Sequence, residues 1–131
     1  MARLPLAFFT AAVVCGLTGM VWGAWMASTD VFTLAPAHAH LNLLGWVSLA
    51  IMGGFYVLAG PRAPARLGWA NFVLSTAGVA IITPSLAALL SGDKALVVVV
   101  TFGTVLTILG MVCFAAAVLS LWRAPRALSA P

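Results

Sequence analysis

Residues 37–60 read AHAHLNLLGWVSLAIMGGFYVLAG: two histidines and an asparagine, then an apolar run without a single charge. About 20 such residues suffice to cross a bilayer as a helix. Three more stretches of this kind accompany it, so the chain reads as four spans at about 5–27, 38–59, 68–90 and 95–121. The wider composition agrees. Of 131 residues, 64% are hydrophobic and 6% charged, whereas a water-facing surface needs about 25% charged residues. The solvent of this chain is therefore a lipid bilayer.

The separators STDVFTLAP (28–36), GPRAPARLG (60–68) and SGDK (91–94) are short. Connections of that length make neighbouring helices antiparallel and leave no room for a soluble domain. The expected fold is all-α, an integral membrane four-helix bundle in a single domain covering 1–131, with WRAPRALSAP (122–131) as a frayed tail. Arg3 and LPLAFF (4–9) resemble the start of a signal peptide, but the apolar run continues past the ~7–15 residues of such a segment. It is read as the first span.

Arg3, Arg62, Arg66, Arg123 and Arg126 fall on one side of these spans and Lys94 alone on the other. Basic residues accumulate on the cytoplasmic side, which places both termini there and His38 and His40 near the outer face, in a bacterial inner membrane. Six basic residues scattered singly make no nucleic-acid surface. Cys15 and Cys113 lie inside apolar runs and read as small hydrophobes, with no disulfide framework.

Gly16, Gly19 and Gly23 give the first span a small-residue face on which another helix approaches closely, within the chain or in a second copy. Trp22, Trp25, Trp69 and Trp122 fall at span ends, as interfacial tryptophans do. Trp46 lies about 9 Å below His40 and needs a partner for its indole or a flat surface for its ring. Pro84 kinks the third span, with Thr83 and Ser85 beside it to satisfy the freed carbonyl. Asp93 and Lys94 form a polar turn, in which Lys94 is either solvated or meets an anionic group held near the histidines.

His38 and His40 are the only histidines. Two residues apart on a helix, they point about 200° from one another and cannot clamp one ion together unless the stretch is extended. The His38 face continues through Asn42, Gly45, Leu49, Met52, Gly53 and Tyr56, and its glycines leave a groove. The His40 face, through Leu43, Leu44, Val47, Ile51 and Gly54, is aliphatic. Three uses compete: hydrogen bonding at the membrane surface, a copper or zinc site with Cys15, Met20 or Met26 as soft ligands, and axial ligation of haem. The absence of a Cys-x-x-Cys-His motif excludes covalent c-type attachment.

The 37–60 stretch resembles the second transmembrane helix of the haem-copper oxidase and nitric oxide reductase catalytic subunit. His38 stands fifteen residues before Gly53-Gly54-Phe55, matching that family's low-spin haem histidine and its Gly-Gly-Phe. GLTGMVWGAWMAST (16–29) similarly looks like the family's glycine-rich first helix. The resemblance covers about the first sixty residues. The family's copper ligands, its cross-linked tyrosine and its second axial histidine have no counterpart, so the resemblance implies no complete oxidase or reductase.

In that family the catalytic subunit is assembled from pseudo-equivalent four-helix arcs, and a later helix carries a His-x-His pair facing two haems. This chain looks like one such arc. The resemblance thus implies a small b-type cytochrome transferring electrons to an unknown redox partner. Haem b would be held between subunits by His38 of one and His40 of the next in a homotrimer, or across the two-fold axis of a homodimer. Asn42, Gly45, Trp46 and Gly53 would line the site. A copper-binding or copper-delivery protein, and a non-catalytic assembly subunit of a respiratory oxidase, are the alternatives.

Overall fold

The first helix, α1 (Arg3–Thr29), stops at Asp30, whose φ of 55° takes the chain out of helical geometry. Aspartate tolerates that left-handed conformation better than most side chains. The Val31 amide then closes the turn on the Met26 carbonyl at 3.3 Å. In the computed structural model, which describes residues 3–123, every regular element is helical. The expected tail beyond residue 123, Arg126 included, lies outside the described residues.

The second span is continuous over Ala35–Arg62 but not uniform. It opens as α2 (Ala35–His40), with Pro36 in the first turn, where a missing amide hydrogen costs nothing. It widens into a π-helical segment (Leu41–Ser48), in which the Ser48 hydroxyl reaches the Leu43 carbonyl five residues back at 2.7 Å. It then resumes as α3 (Leu49–Ala59) and ends at Gly60, whose φ of 55° suits glycine, in a 3-10 turn (Gly60–Arg62). The third span is α4 (Ala65–Leu90) and the fourth is α5 (Val97–Arg123), introduced by a 3-10 turn (Lys94–Leu96) that the Asp93 side chain caps. All four are long and apolar enough to cross a membrane. Each of the expected spans is present and extends a few residues further, and the π segment is the departure from the uniform helix expected there.

Two close-packed seams hold neighbouring helices together. Along the first, α1 runs antiparallel to the second span, pairing Gly23 with His38, Gly19 with Asn42, Gly16 with Trp46, Cys15 with Gly45, and Phe8 with Gly53. Each pair sets a glycine against a larger side chain, so the helices come close without a gap. Along the second, α4 meets α5 at Gly110 against Ser75, Gly78 against Thr107, and Gly103 against Ile82. In lipid there is no hydrophobic drive between helices, and such van der Waals fit is what associates them.

Phe8, Leu49, Met52 and Tyr56 form the buried core with Ala117 of α5. The Phe8 ring stacks on Tyr56 at 5.4 Å between centroids and meets Phe72 edge-on at 5.1 Å. At the opposite end of the bundle lie the end of α1, the start of α2, the end of α4 and the start of α5. The α5 span is 11% buried against 28–33% for the others, so it sits on the edge of the bundle against α4.

Candidate functional site

Both histidines lie on regular α2 backbone, which rules out the extended stretch in which they might have shared an ion. Their surroundings differ completely. The His38 ring is half-buried against α1, where a β-carbon on Gly23 would stand 3.0 Å from its Cε1, and Trp22 meets it edge-on at 6.2 Å. Asn42 directs its side-chain amide onto His38 in two ways: to the ring, 3.1 Å from Nε2 and 3.4 Å from Nδ1, and to the backbone carbonyl at 3.0 Å. The second of these supplies a donor to a carbonyl at the mouth of the π segment, where the regular ladder changes spacing. His38, Asn42 and Gly19 thus form one packed unit.

His40 is exposed on the other side of the helix, as the 200° divergence requires. Its Nδ1–H donates to the Pro36 carbonyl at 2.8 Å. A carbonyl only accepts, so Nδ1 carries a proton, and Nε2 is the ring nitrogen left on the exposed side without a hydrogen-bond partner. Histidines that bind metals are oriented in this way, by a backbone carbonyl holding the second nitrogen.

The groove expected beside His38 is not open. Gly45 is filled by the Cys15 thiol, 2.8 Å from where its β-carbon would be, and by Val79. Gly53 is filled by Phe8, and the Trp46 ring lies over Gly16 with 40% of the residue exposed. The reason is the α1 glycine face, which lets the first helix settle closely enough for its own side chains to cover these glycines. The soft donors are dispersed as well. Cys15 sits at the Gly45 level, Met26 is buried and Met20 faces out. Among the described residues no three His, Cys, Asp or Glu side chains converge.

Pro84 lies on an exposed face of α4. Pro84 frees the Ala80 carbonyl four residues back, whereas Ser85 donates to the Ile81 carbonyl at 2.6 Å and so does not fill the role expected of it. Thr83 takes no such role: its buried hydroxyl has no hydrogen-bond partner and lines a cavity of about 300 Å³ with Cys15, Leu41, Thr76 and Val79. Lys94 is exposed at the start of its turn.

A second polar group escaped the sequence reading. Asn71, fully buried, donates to the Tyr56 hydroxyl at 3.2 Å and accepts from Ser75 at 3.0 Å. The signal was Asn71 and Ser75 at helical spacing in an otherwise apolar span. Among the described residues, Asn71 to Tyr56 is the one side chain-to-side chain hydrogen bond joining two spans. Comparison of the chain with protein-family models, curated proteins and solved structures finds no match.

Proposed function

We propose that this chain is a small membrane electron carrier that binds b-type haem between copies of itself, with His40 as the axial ligand offered by each copy. The observation that carries this reading is the His40 ring: exposed, its proton fixed on Nδ1 by Pro36, its Nε2 free to coordinate. The π segment beginning at the next residue supports it, because such segments occur disproportionately at functional sites. An ionisable side chain on a spanning helix is itself costly enough to imply a use.

Haem held within one chain does not fit, since the two rings diverge and Gly45 and Gly53 are already covered. A site shared across a two-fold axis fits the outward His40. The trimeric arrangement, with His38 of one copy opposite His40 of the next, requires His38 to leave Asn42. When bound by two imidazoles, haem supplies a one-electron carrier with no open coordination position. The protein's own part is to fix the imidazole tautomer through Pro36 and to hold the ring on the last residue of α2, where the π segment begins. The placement of the termini in the cytoplasm and of His40 at the outer face belongs to the same proposal, and rests on the arginine bias.

The test is an absorption spectrum of protein purified from haem-supplied cells. A Soret band present in the wild type and in His38→Ala, and lost in His40→Ala, is the expected result. Loss in His38→Ala alone would transfer the role to the histidine that the oxidase resemblance singles out. A colourless wild-type protein, or a band untouched by either change, ends the haem reading, and stoichiometric copper in such a preparation would establish the alternative.

A further inference from the structure

At the end of the bundle remote from the histidines, the start of α1, the Gly60–Pro64 connection and the start of α4 enclose a cavity of about 550 Å³. Its walls are of two kinds. Arg3 stands at the exposed rim, while Leu4, Ala63 and the buried Tyr56 ring form an apolar interior with Trp69 at the side. Arg62 and Arg66 are exposed at the same end. Both acidic side chains of the chain, Asp30 and Asp93, lie in the connections at the other end. Arg3 is the one charged residue lining the cavity, and this end of the bundle carries no carboxylate side chain to offset it.

We propose that this cavity is a binding site for an acidic phospholipid, its phosphate on Arg3 and its upper acyl chain between Leu4, Ala63 and Trp69. The chemistry selects this occupant from both sides. A small soluble anion leaves the apolar interior unused, and a zwitterionic lipid brings its own cation to an end of the bundle that carries Arg3, Arg62 and Arg66 and no carboxylate side chain. The volume is that of a drug-sized pocket, so it takes the headgroup and first methylenes while the remaining chain lies along the exposed apolar flank at Leu6 and Trp69. Basic pockets between spanning helices recognise anionic headgroups in this manner. This site is independent of the histidine reading.

Native mass spectrometry of the full chain in detergent, offered dioleoyl phosphatidylglycerol or dioleoyl phosphatidylcholine, tests it. The wild type is expected to retain one phosphatidylglycerol and no phosphatidylcholine. Arg3→Gln should lower that retention about fivefold, the effect of one interfacial arginine. Ala65→Phe, which fills the mouth without altering charge, should lower it comparably, with circular dichroism confirming intact helices in both. Excess inorganic phosphate should leave the lipid in place. Equal retention of the two lipids, wild-type retention in both variants, or displacement by inorganic phosphate would each overturn the assignment.

Discussion

Gly23 and His38 meet across the first seam so closely that a β-carbon on the glycine would stand 3.0 Å from the imidazole Cε1. Next along the same seam, Gly19 leaves even less room beneath Asn42. The histidine and the asparagine one turn below it are thus held in place by the absence of side chains on α1.

Adding a methyl group at these two places should give graded results. Asn42 is tethered by its bonds to His38, so Gly19→Ala must break or displace a bonded side chain. Its cost is expected in the overpacking range of about 1–3 kcal/mol, with Gly23→Ala nearer the lower limit because the imidazole edge can tilt. Reversible unfolding in mixed micelles measures both.

The second seam offers a sterner case, because backbone rather than side chain stands in the way. A β-carbon on Gly78 would lie 2.9 Å from the Thr107 nitrogen and 3.0 Å from the Gly103 oxygen. Gly78→Ala should therefore destabilise α4 against α5 by at least the ~3 kcal/mol upper end of overpacking. Gly54→Ala is the control, since nothing lies within 4 Å of its β-position. It should be neutral or stabilising by up to ~1 kcal/mol through helix propensity. A loss of stability at Gly54 would reveal a neighbouring copy packed on that face.

Tyr56→Phe removes the acceptor of a buried Asn71 amide hydrogen, and Asn71→Leu removes the donor. Each should destabilise, and a double-mutant cycle between them should return a coupling of ~0.6 kcal/mol, the average for hydrogen bonds between spanning helices, and no more than ~1.7 kcal/mol. A coupling of zero would mean that the two groups bond elsewhere in lipid.

The histidines should separate in stability as they do in environment. His38→Ala opens a gap against Gly23 and Trp22 and leaves the Asn42 amide only the backbone carbonyl as partner, costing about 0.5–3 kcal/mol. His40→Ala should leave stability in the absence of haem within about 0.5 kcal/mol of wild type, as for an exposed side chain. The same two proteins carry the spectroscopic test, so a lost Soret band in His40→Ala cannot be ascribed to unfolding.

Hydropathy and short polar separators were enough to read four spans, because length and the cost of burying charge leave few other folds open. The two faces of the second span were equally legible: His38, Gly45, Leu49 and Tyr56 turn inward and His40, Leu43 and Ile51 outward, as helical periodicity requires. The groove was misjudged for a definite reason. A glycine reads as empty space until the opposing helix is known, and Cys15 and Phe8 come from one whose register no local pattern specifies. The π segment was invisible because nothing in LNLLGWVS distinguishes five-residue from four-residue spacing. The α4–α5 seam was written as Ser75, Gly78, Gly103, Thr107 and Gly110, small residues at helical spacing that the more obvious α1 glycines overshadowed.

The two seams make the chain a pair of hairpins, each already interlocked, joined through the Gly60–Pro64 elbow. Within each hairpin, partners are consecutive in sequence, so each can enter the bilayer and close as soon as its second helix is made. What remains is docking one finished hairpin on the other, through the Asn71 bond to Tyr56, the Phe8–Phe72 contact and Val79 against Gly45. On that route order of synthesis and order of assembly coincide, and the His38–Asn42 unit, whose residues all lie in the first hairpin, needs nothing from the second half of the chain.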